Sequence, residues 1–248
     1  MSLYEKISSY YDMLFPLKEA RLSFVGSFLK EGGQKILDVG CATGELALAL
    51  TGKGHRVTAF DLDGDMIHAA REKTKNRGLK VEFVEKDMAA LGRDFRPASF
   101  DAVVCFGNTL VHLENREKIE DFFRGVLKVL KKGGVFLFQV VNFDRVLSGE
   151  IKKLPVLENE NFTFLREYFL QEGTRRIRFG ARLILKKEEK VLESSTFLYP
   201  LTFQEAQTAL KNAGFAKQQF FGNDRKTPFD RERSPALIAA GLRRRERF

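Results

Sequence analysis

The sequence predicts a doubly wound α/β fold, in which a mostly parallel, seven-stranded sheet carries an antiparallel β insertion. Three observations support this prediction. Short apolar strands alternate with amphipathic helical segments from residue 35 to residue 141, as expected when crossover helices cover both faces of a parallel sheet. Between residues 145 and 199 apolar side chains instead recur at every second position, which is typical of strands with one exposed face. After Pro200 the α/β pattern resumes.

Periodicity divides the chain into three parts. Apolar residues recur at three- and four-residue steps on both sides of Pro16, which predicts two helices before the first strand. Clean alternation from Arg176 to Lys186 predicts a strand with one exposed face, and the segments on either side of it predict two partner strands. The predicted parts are a helical cap (1–34), an α/β core (35–144 and 200–248) and an antiparallel lid of three strands (145–199).

Local signals justify the elements of the core in order. The first strand runs into a small-residue turn, and the helix after the second strand is capped by Asp63 and ends near Gly78. A strong apolar stripe predicts a helix before the fifth strand, with the cations of the run 131–134 at its negative end. A capping box of Thr202 and Glu205 begins the helix after the lid, and a hairpin follows it. The predicted strands of the sheet are 35–39, 56–60, 81–85, 100–106, 135–141, 215–221 and 236–240.

Composition limits the kind of protein. The 248 residues are 44% hydrophobic and 30% charged, which fits a globular chain with a full core. No apolar run approaches the length of a membrane span and the N-terminus lacks a secretory signal, so we expect a cytoplasmic protein without membrane attachment. Two cysteines and three histidines show no ligand spacing, so neither a disulfide framework nor a metal site is expected.

The basic charge of the chain is the remaining compositional signal. The net charge of +9 is spread along the sequence, with a basic run at 243–245. A nucleic-acid partner would fit such a charge, but a dispersed excess is more often a solvated surface. We therefore expect a small-molecule substrate, do not favour nucleic acid as a partner, and leave the oligomeric state open.

The turn after the first strand predicts a ligand site. Gly40 and Gly44 bound this turn, and a helical pattern follows it. Glycine permits positive φ and lets backbone N–H groups approach a ligand, while the following helix directs its positive end there. In an open α/β sheet such a turn lies where nucleotides bind. The spacing lacks the third glycine of the dinucleotide fingerprint, which counts against a dehydrogenase.

This turn resembles the first motif of the class I S-adenosylmethionine-dependent methyltransferases, in which an acidic residue precedes a Gly-x-Gly-x-Gly turn. Ala42 replaces the middle glycine here and is expected to keep a negative φ. The resemblance implies a Rossmann-like methyltransferase fold, with S-adenosyl-L-methionine as cofactor and S-adenosyl-L-homocysteine as product. It also implies that the turn holds the amino-acid end of the cofactor through Asp38, Gly40, Cys41, Ala42, Thr43 and Gly44.

Later landmarks of the same family follow in order at the ends of the next strands. The acid after the second strand matches one that accepts hydrogen bonds from both ribose hydroxyls, and a carboxylate makes such bonds stronger than a neutral acceptor does. The acid after the third strand matches one that reads the adenine edge. The further cofactor-binding residues that the resemblance implies are Asp61, Leu62, Met66, Asp87, Met88, Cys105 and Phe106.

Two segments carry a closer resemblance, to the glycine and sarcosine N-methyltransferases. They are residues 105–113 and 141–144, in which Phe143 replaces a tyrosine and leaves the identity of the acceptor open. The resemblance implies that an asparagine contacts a small amino-acid acceptor, that an aromatic side chain of the N-terminal helix lies over the site, and that an arginine holds the acceptor carboxylate. The residues predicted to act on the acceptor are Asn142, Tyr11 and Arg166, with Tyr10 and Arg178 as second candidates for the aromatic and the arginine.

Four further side chains are of interest near this site. His112 is interpreted either as a proton acceptor or as a structural histidine, and Tyr199 either closes the pocket or packs the lid. Cys41 and Cys105 are expected to be free thiols that line the site, because the first and fourth strands are neighbours in this fold.

We predict methyl transfer from S-adenosylmethionine to a small-molecule acceptor, in the first place an amine similar to glycine or sarcosine. The reaction is a single in-line displacement, so the protein supplies alignment, desolvation and proton handling, and no catalytic triad or metal is needed. The alternatives are an RNA or protein methyltransferase and a non-catalytic cofactor-binding regulator. The run 105–108 lacks the motif of base N-methylating enzymes, which counts against that branch.

Overall fold

The computed structural model describes residues 10–171 and 173–245 and contains two β-sheets. The central sheet is built from β1 (Lys35–Val39), β2 (Arg56–Asp61), β3 (Glu82–Glu85), β4 (Phe100–Cys105), β5 (Leu130–Val141), β10 (Phe215–Phe221) and β11 (Ala236–Arg243). The second sheet is built from β6 (Leu157–Glu158), β7 (Phe162–Phe169), β8 (Ile177–Leu185) and β9 (Lys190–Leu198). The seven strands of the central sheet lie in the order β10-β11-β5-β4-β1-β2-β3.

The central sheet is parallel except for β11, which pairs antiparallel with β5 on one side and with β10 on the other. The predicted doubly wound, mostly parallel sheet and the final hairpin are therefore confirmed. The order reverses between β1 and β4, which pair directly, so the carboxyl ends of these strands form the switch point at which open α/β sheets bind ligands.

Helices cover both faces of the central sheet. Helices α2 (Glu19–Gly26), α3 (Glu45–Gly52) and α4 (Gly64–Arg77) pack in one buried cluster, and α6 (Arg116–Val129) and α8 (Phe203–Ala213) pack in the other. Val103 and Val104 of β4 belong to different clusters, so this strand is buried on both faces as predicted. None of the described helices has the length and apolar character to cross a membrane. The helices are α1 (Tyr11–Leu14), α2 (Glu19–Gly26), α3 (Glu45–Gly52), α4 (Gly64–Arg77), α5 (Leu91–Asp94), α6 (Arg116–Val129), α7 (Phe143–Leu147) and α8 (Phe203–Ala213), with 3₁₀ turns at Met88–Ala90 and Thr109–His112.

The helix ends follow the predicted caps with one exception. Asp63 accepts hydrogen bonds from the first turn of α4, Gly78 ends that helix in the left-handed conformation, and the capping box that begins α8 is present. The end of α6 differs, because β5 begins at Leu130 and takes up the run 131–134. The cation at the negative end of α6 is instead Arg243, whose guanidinium donates to the carbonyls of the last turn.

The lid differs from the predicted three-stranded insertion by one short strand. The two-residue β6 pairs antiparallel with β7 and makes the second sheet four-stranded. The alternation of β8 is as predicted, since its buried positions are 177, 179, 181, 183 and 185. Those side chains join the same buried cluster as α6, so the inner face of the lid packs on the α/β core. The exact boundaries of the three parts stay a prediction.

The break at Pro16 separates α1 from α2, as predicted. The apolar positions of the predicted cap that precede residue 10, including Tyr4 and Ile7, lie outside the described residues. Leu14 and Phe24 are buried, so each of the two helices contributes to the core.

Candidate functional site

The turn after β1 has the shape of a backbone cradle. Gly40 and Gly44 have φ of 67° and 81°, and a Cβ added at either would lie within 2.6 Å of Thr109 or Phe83. Both positions therefore require glycine. Ala42 has φ of 47°, so the expectation of a negative φ there was wrong. A left-handed alanine costs roughly 1–2 kcal/mol.

A hydrogen bond from the next strand explains the strained alanine. The N–H of Ala42 donates to Asp61 Oδ2 at 2.8 Å, and the N–H of Asp63 donates to Asp61 Oδ1 at 3.1 Å. The Asp61 carboxylate thus holds the turn after β1 and the start of α4 in one arrangement at the end of β2. Burial raises its pKa, and these backbone donors work against that rise.

Asp38 is a buried carboxyl group that the protein leaves incompletely satisfied. Its side chain is 3% exposed, and Oδ2 has no hydrogen-bond partner among the described residues. Burial, followed by the negative charge of Asp61, raises the pKa of Asp38 to about 7. A buried acceptor without a donor is costly, so this position is suited to a ligand that brings a donor or a positive charge.

A cavity of about 370 Å³, the first cavity, lies at the carboxyl ends of β1 and β2 beneath the edge of β9. Most of the residues predicted to hold the adenosine part of the cofactor line it. They are Asp61, Leu62, Met66, Asp87 and Met88, joined by Gly40 and Ala42 of the turn. Lining residues that the cofactor prediction did not include are Phe60, Asp63, Lys86, Gly107, Thr109, His112, Ser194, Ser195 and Thr196.

A second cavity of about 480 Å³ adjoins the first, with which it shares Tyr11, Gly40, Ala42 and Gly107. The predicted residues Asp38, Cys41, Thr43, Phe106 and Arg166 line it. Sequence reasoning did not find Arg21, Gln139 and Asp224, which line it as well. The two cavities together bring the turn after β1, the N-terminal segment and the lid around one connected space.

Arg166 and Arg178, the two arginines considered as carboxylate ligands, lie on different faces of the lid. Arg166 Nη2 donates to the Pro155 carbonyl at 2.7 Å, and its guanidinium lies over the Phe164 ring, while Nε is buried without a hydrogen-bond partner. Burial lowers its pKa. Arg178 lies over the ring of the exposed Phe169, 3.9 Å from its centre, so it faces away from the two cavities.

The N-terminal segment 10–18, here called the strap, crosses the second cavity. Tyr11 lines both cavities, whereas the Tyr10 hydroxyl donates to the carboxylate of Glu188 in the lid at 2.8 Å. Asp12 accepts a hydrogen bond from Thr43 at 2.5 Å and forms an ion pair with Lys73 of α4. The strap is therefore fastened to the lid at one point and, at another, to the turn after β1 (residues 40–44), which is the predicted cofactor turn.

Three predicted site residues lie beside the cavities and do not line them. Asn142 is fully buried, and its Nδ2 donates to the carbonyls of Arg231 and Ser234 at 2.9 Å, while its Oδ1 has no partner among the described residues. Gly44 shapes the turn, and Cys105 is buried at the end of β4. Their contacts with a ligand stay predictions.

The remaining candidates are a histidine, a tyrosine and two thiols. Burial lowers the pKa of His112 to about 4, so its imidazole is uncharged at neutral pH in the wall of the first cavity. The Tyr199 hydroxyl donates to Glu205 at 2.7 Å, which joins the end of β9 to α8. Cys41 and Cys105 are both free thiols, and burial raises their pKa values well above normal. Of the two, Cys41 lines the second cavity.

The missed residues have a common property: their places depend on how distant elements dock. The run 194–196 carries three hydroxyl groups in succession within an otherwise mixed strand, which is the one local signal that could have found them. Arg21 and Asp224 form an ion pair over a gap of about two hundred positions, which no local pattern reveals.

Comparisons with known proteins agree with this geometry. Residues 36–134 match the family model described as a methyltransferase domain. A protein of Geobacillus sp. (strain WCH70) named as a methyltransferase is 36% identical over 143 residues, which cover 55% of this chain and 57% of that protein. A glycine/sarcosine N-methyltransferase of Parasynechococcus marenigrum (strain WH8102) is 32% identical over 53% of this chain and 46% of its own length. A ubiquinone biosynthesis O-methyltransferase of Xanthomonas euvesicatoria pv. vesicatoria (strain 85-10) is 31% identical over 52% of each.

The structural comparison extends over the whole chain. The crystal structure of an S-adenosylmethionine-dependent methyltransferase from Clostridium acetobutylicum ATCC 824 superposes with a TM-score of 0.79, covering 97% of this chain and 99% of that one at 17% identity. The chain spans about half the length of the curated relatives given above. Residues 36–134 are therefore similar to a methyltransferase domain, and the chain as a whole has the fold seen in the class I S-adenosylmethionine-dependent methyltransferases.

Proposed function

We propose that this protein is an S-adenosylmethionine-dependent methyltransferase that acts on a small-molecule amine. The observation that carries the proposal is a pair of buried polar atoms of opposite character on the second cavity. Asp38 Oδ2 and Arg166 Nε both lack a hydrogen-bond partner among the described residues. The orphaned acceptor is suited to the ammonium group that the cofactor carries, and the orphaned donor is suited to a carboxylate of the acceptor.

The donor set and the turn fit the cofactor. Asp61 and Asp87 place carboxylates in the first cavity, where ribose hydroxyls and the adenine amino group need acceptors, with Met66 and Met88 as apolar neighbours. Asp38 would receive the amino group of the methionine part. When bound, the cofactor supplies an electrophilic methyl group on a positively charged sulfur. Gly40 has no side chain, and none would fit beside Thr109, so the backbone of the turn is left open to a ligand.

The residues of this chain then have three tasks toward the acceptor. Arg166 holds a carboxylate of the acceptor, and Tyr11 covers the junction of the two cavities and excludes water. His112, uncharged at neutral pH, adds no positive charge that would repel a protonated amine as it enters. A relative named as a glycine/sarcosine N-methyltransferase supports an amine acceptor, and a relative named as an O-methyltransferase makes a hydroxyl acceptor the alternative.

Arg166→Gln tests the carboxylate assignment. We expect the KM for an acceptor that carries a carboxylate to rise about tenfold or more, because a charge-assisted bond to a partly buried group is lost. The affinity for S-adenosylhomocysteine, measured by calorimetry, should stay within about twofold. Arg178→Gln, on the opposite face of the same sheet, is the matched control. Loss of S-adenosylhomocysteine binding in Arg166→Gln would instead assign this arginine to the cofactor carboxylate.

A methyl-transfer screen tests the function as a whole. The panel contains glycine, sarcosine, related amines and small hydroxyl compounds, with binding of S-adenosylhomocysteine measured on the same preparation. Methylation of amines supports the proposal, and methylation of hydroxyl compounds alone contradicts the amine class. Silence across the panel with the product still bound would favour a macromolecular acceptor or a regulator, and a steep fall of RNA affinity with salt would point to nucleic acid.

A further inference from the structure

One wall of the first cavity consists of hydroxyl groups that the cofactor assignment does not use. It is formed by β9, the last strand of the lid sheet, whose outer edge pairs with no other described strand. Side chains alternate along a strand, and the half-buried positions of β9 are 192, 194 and 196. Ser194 lies opposite Ala181 and Thr196 lies opposite Phe179, both on the inner face of the lid. Ser194 and Thr196 therefore point to the cavity side of the strand.

These two hydroxyls are unengaged within the protein. Neither Ser194 nor Thr196 forms a side-chain hydrogen bond within residues 10–171 and 173–245, although other serines and threonines of the lid and core do, such as Thr163 with Glu158 at 2.9 Å. A hydroxyl group both donates and accepts hydrogen bonds. Two hydroxyls on the same face of one strand can therefore bind a ligand that also carries hydroxyl groups.

The wall has a fixed position relative to the rest of the site. The N–H of Tyr199 at the end of β9 donates to the Val111 carbonyl at 2.7 Å, which joins this strand to the 3₁₀ turn that carries His112. Asp61 and Met88 line the same cavity from the ends of the central strands, whereas β9 belongs to the lid. The cavity thus has one wall of carboxylates and thioethers from the core and one wall of neutral hydroxyls from the lid.

We propose that Ser194 and Thr196 form an acceptor subsite, and that the acceptor is an amine that carries hydroxyl groups near the reacting nitrogen. This inference rests on the function proposed above and narrows its substrate class. Glycine, whose carboxylate is assigned to Arg166, has no further group for the two hydroxyls on β9, whereas an amine that also carries a hydroxyl can exchange hydrogen bonds with them. The reaction itself is unchanged: the nitrogen gains a methyl group, the sulfonium leaves as a thioether, and the amine loses one proton.

The test compares two amines that keep a carboxylate for Arg166 and differ only in a hydroxyl group, serine and alanine. The ratio of their kcat/KM values is measured for the unmodified protein and for Ser194→Ala, Thr196→Val and the double variant. Differences in amine basicity cancel, because each variant is compared with the unmodified protein on the same pair. We expect serine to be preferred, and each single variant to lower the preference about three- to tenfold, as for one neutral hydrogen bond.

Thr163→Val is the matched control, since it makes the same substitution on the outer face of the lid and should leave the ratio unchanged. Calorimetry with S-adenosylhomocysteine gives the second measurement, and we expect equal affinity in all variants. The proposed subsite would be overturned if the unmodified protein did not distinguish the two amines. It would also be overturned if Thr163→Val lowered the ratio of kcat/KM values as much as Ser194→Ala or Thr196→Val does. Weakened S-adenosylhomocysteine binding in Ser194→Ala or Thr196→Val would assign the wall to the cofactor. Absence of any turnover with intact S-adenosylhomocysteine binding would contradict the proposed function, and with it the subsite that depends on it.

Discussion

At the scale of single residues, Asp38 combines a structural cost with a proposed binding role. The folded protein raises the pKa of this carboxyl from 3.8 to about 7, so its charged form is disfavoured by folding. Because the pKa is higher in the folded state, Asp38 does not lower the free energy of unfolding below about pH 4. It lowers that free energy increasingly as the pH rises toward 7, and the effect levels off above pH 7. We expect a bound ligand that brings a positive charge to offset this cost.

Asp38→Asn should therefore make the ligand-free protein more stable at high pH. We expect Tm to rise by several degrees at pH 8 and to change little at pH 4.5, since the neutral amide resembles the protonated acid. Thermal unfolding at both pH values measures this, with Asp121→Asn on the exposed face of α6 as the control. A Tm that falls equally at both pH values would show that the carboxyl is satisfied in a way that the structure does not describe.

Asp61 holds the turn and is expected to hold the ribose as well. Asp61→Ala should weaken S-adenosylhomocysteine binding by roughly 1–3 kcal/mol, about five- to 150-fold, because backbone donors and hydroxyl donors lose one charged acceptor. Calorimetry measures the change. Asp65→Ala, in the exposed first turn of α4, is the comparison. Equal affinities in Asp61→Ala and the unmodified protein would remove Asp61 from the cofactor site.

At the scale of elements, the strap connects the lid to the cofactor turn. Its two fastenings, Tyr10 to Glu188 and Asp12 to Thr43 and Lys73, join segments that lie far apart in the sequence. The strap lines the second cavity, so we expect these contacts to slow the entry and the exit of a ligand there.

Asp12→Asn should accelerate both association and dissociation of S-adenosylhomocysteine. We expect both rate constants to rise by a similar factor, with Kd nearly unchanged, because the ion pair restrains the strap in the free and bound states alike. Stopped-flow binding at low and high salt measures the rates. The difference between variant and unmodified protein should shrink at high salt, since salt screens an exposed pair. A change in Kd with unchanged association would mean that Asp12 contacts the ligand directly.

Helices and strands could be predicted from the sequence where the residues that define their ends lie close together in the chain. The caps at Asp63, Gly78 and Thr202 depend on residues within one turn, and all three are confirmed. Arg243 replaces the predicted cations at the end of α6 because a side chain more than a hundred positions away reaches those carbonyls. The two-residue β6 is too short to produce a periodic pattern, so the lid has four strands where three were expected.

At the scale of the whole molecule, the site forms where the lid, the strap and the switch point of the central sheet meet. The alternation of strands and helices predicts the sheet and the ends of β1 and β2, and so the cofactor turn and Asp61. It does not predict which lid strand borders the site, because that depends on the packing of the lid's inner face against the core. Arg166, Ser194 and Thr196 reach the site through that packing.

The position of β11 has a consequence for how the chain is made. This strand lies between β5 and β10, so neither can complete its hydrogen bonding until residue 243 has been synthesised and released. Strands β1 to β5 can pair as they emerge from the ribosome, but one edge of β5 stays open while the lid, α8 and β10 are added. A cell in which synthesis stalls in the loop 222–235 would hold a nascent chain with an exposed β edge, which is the kind of intermediate that chaperones retain.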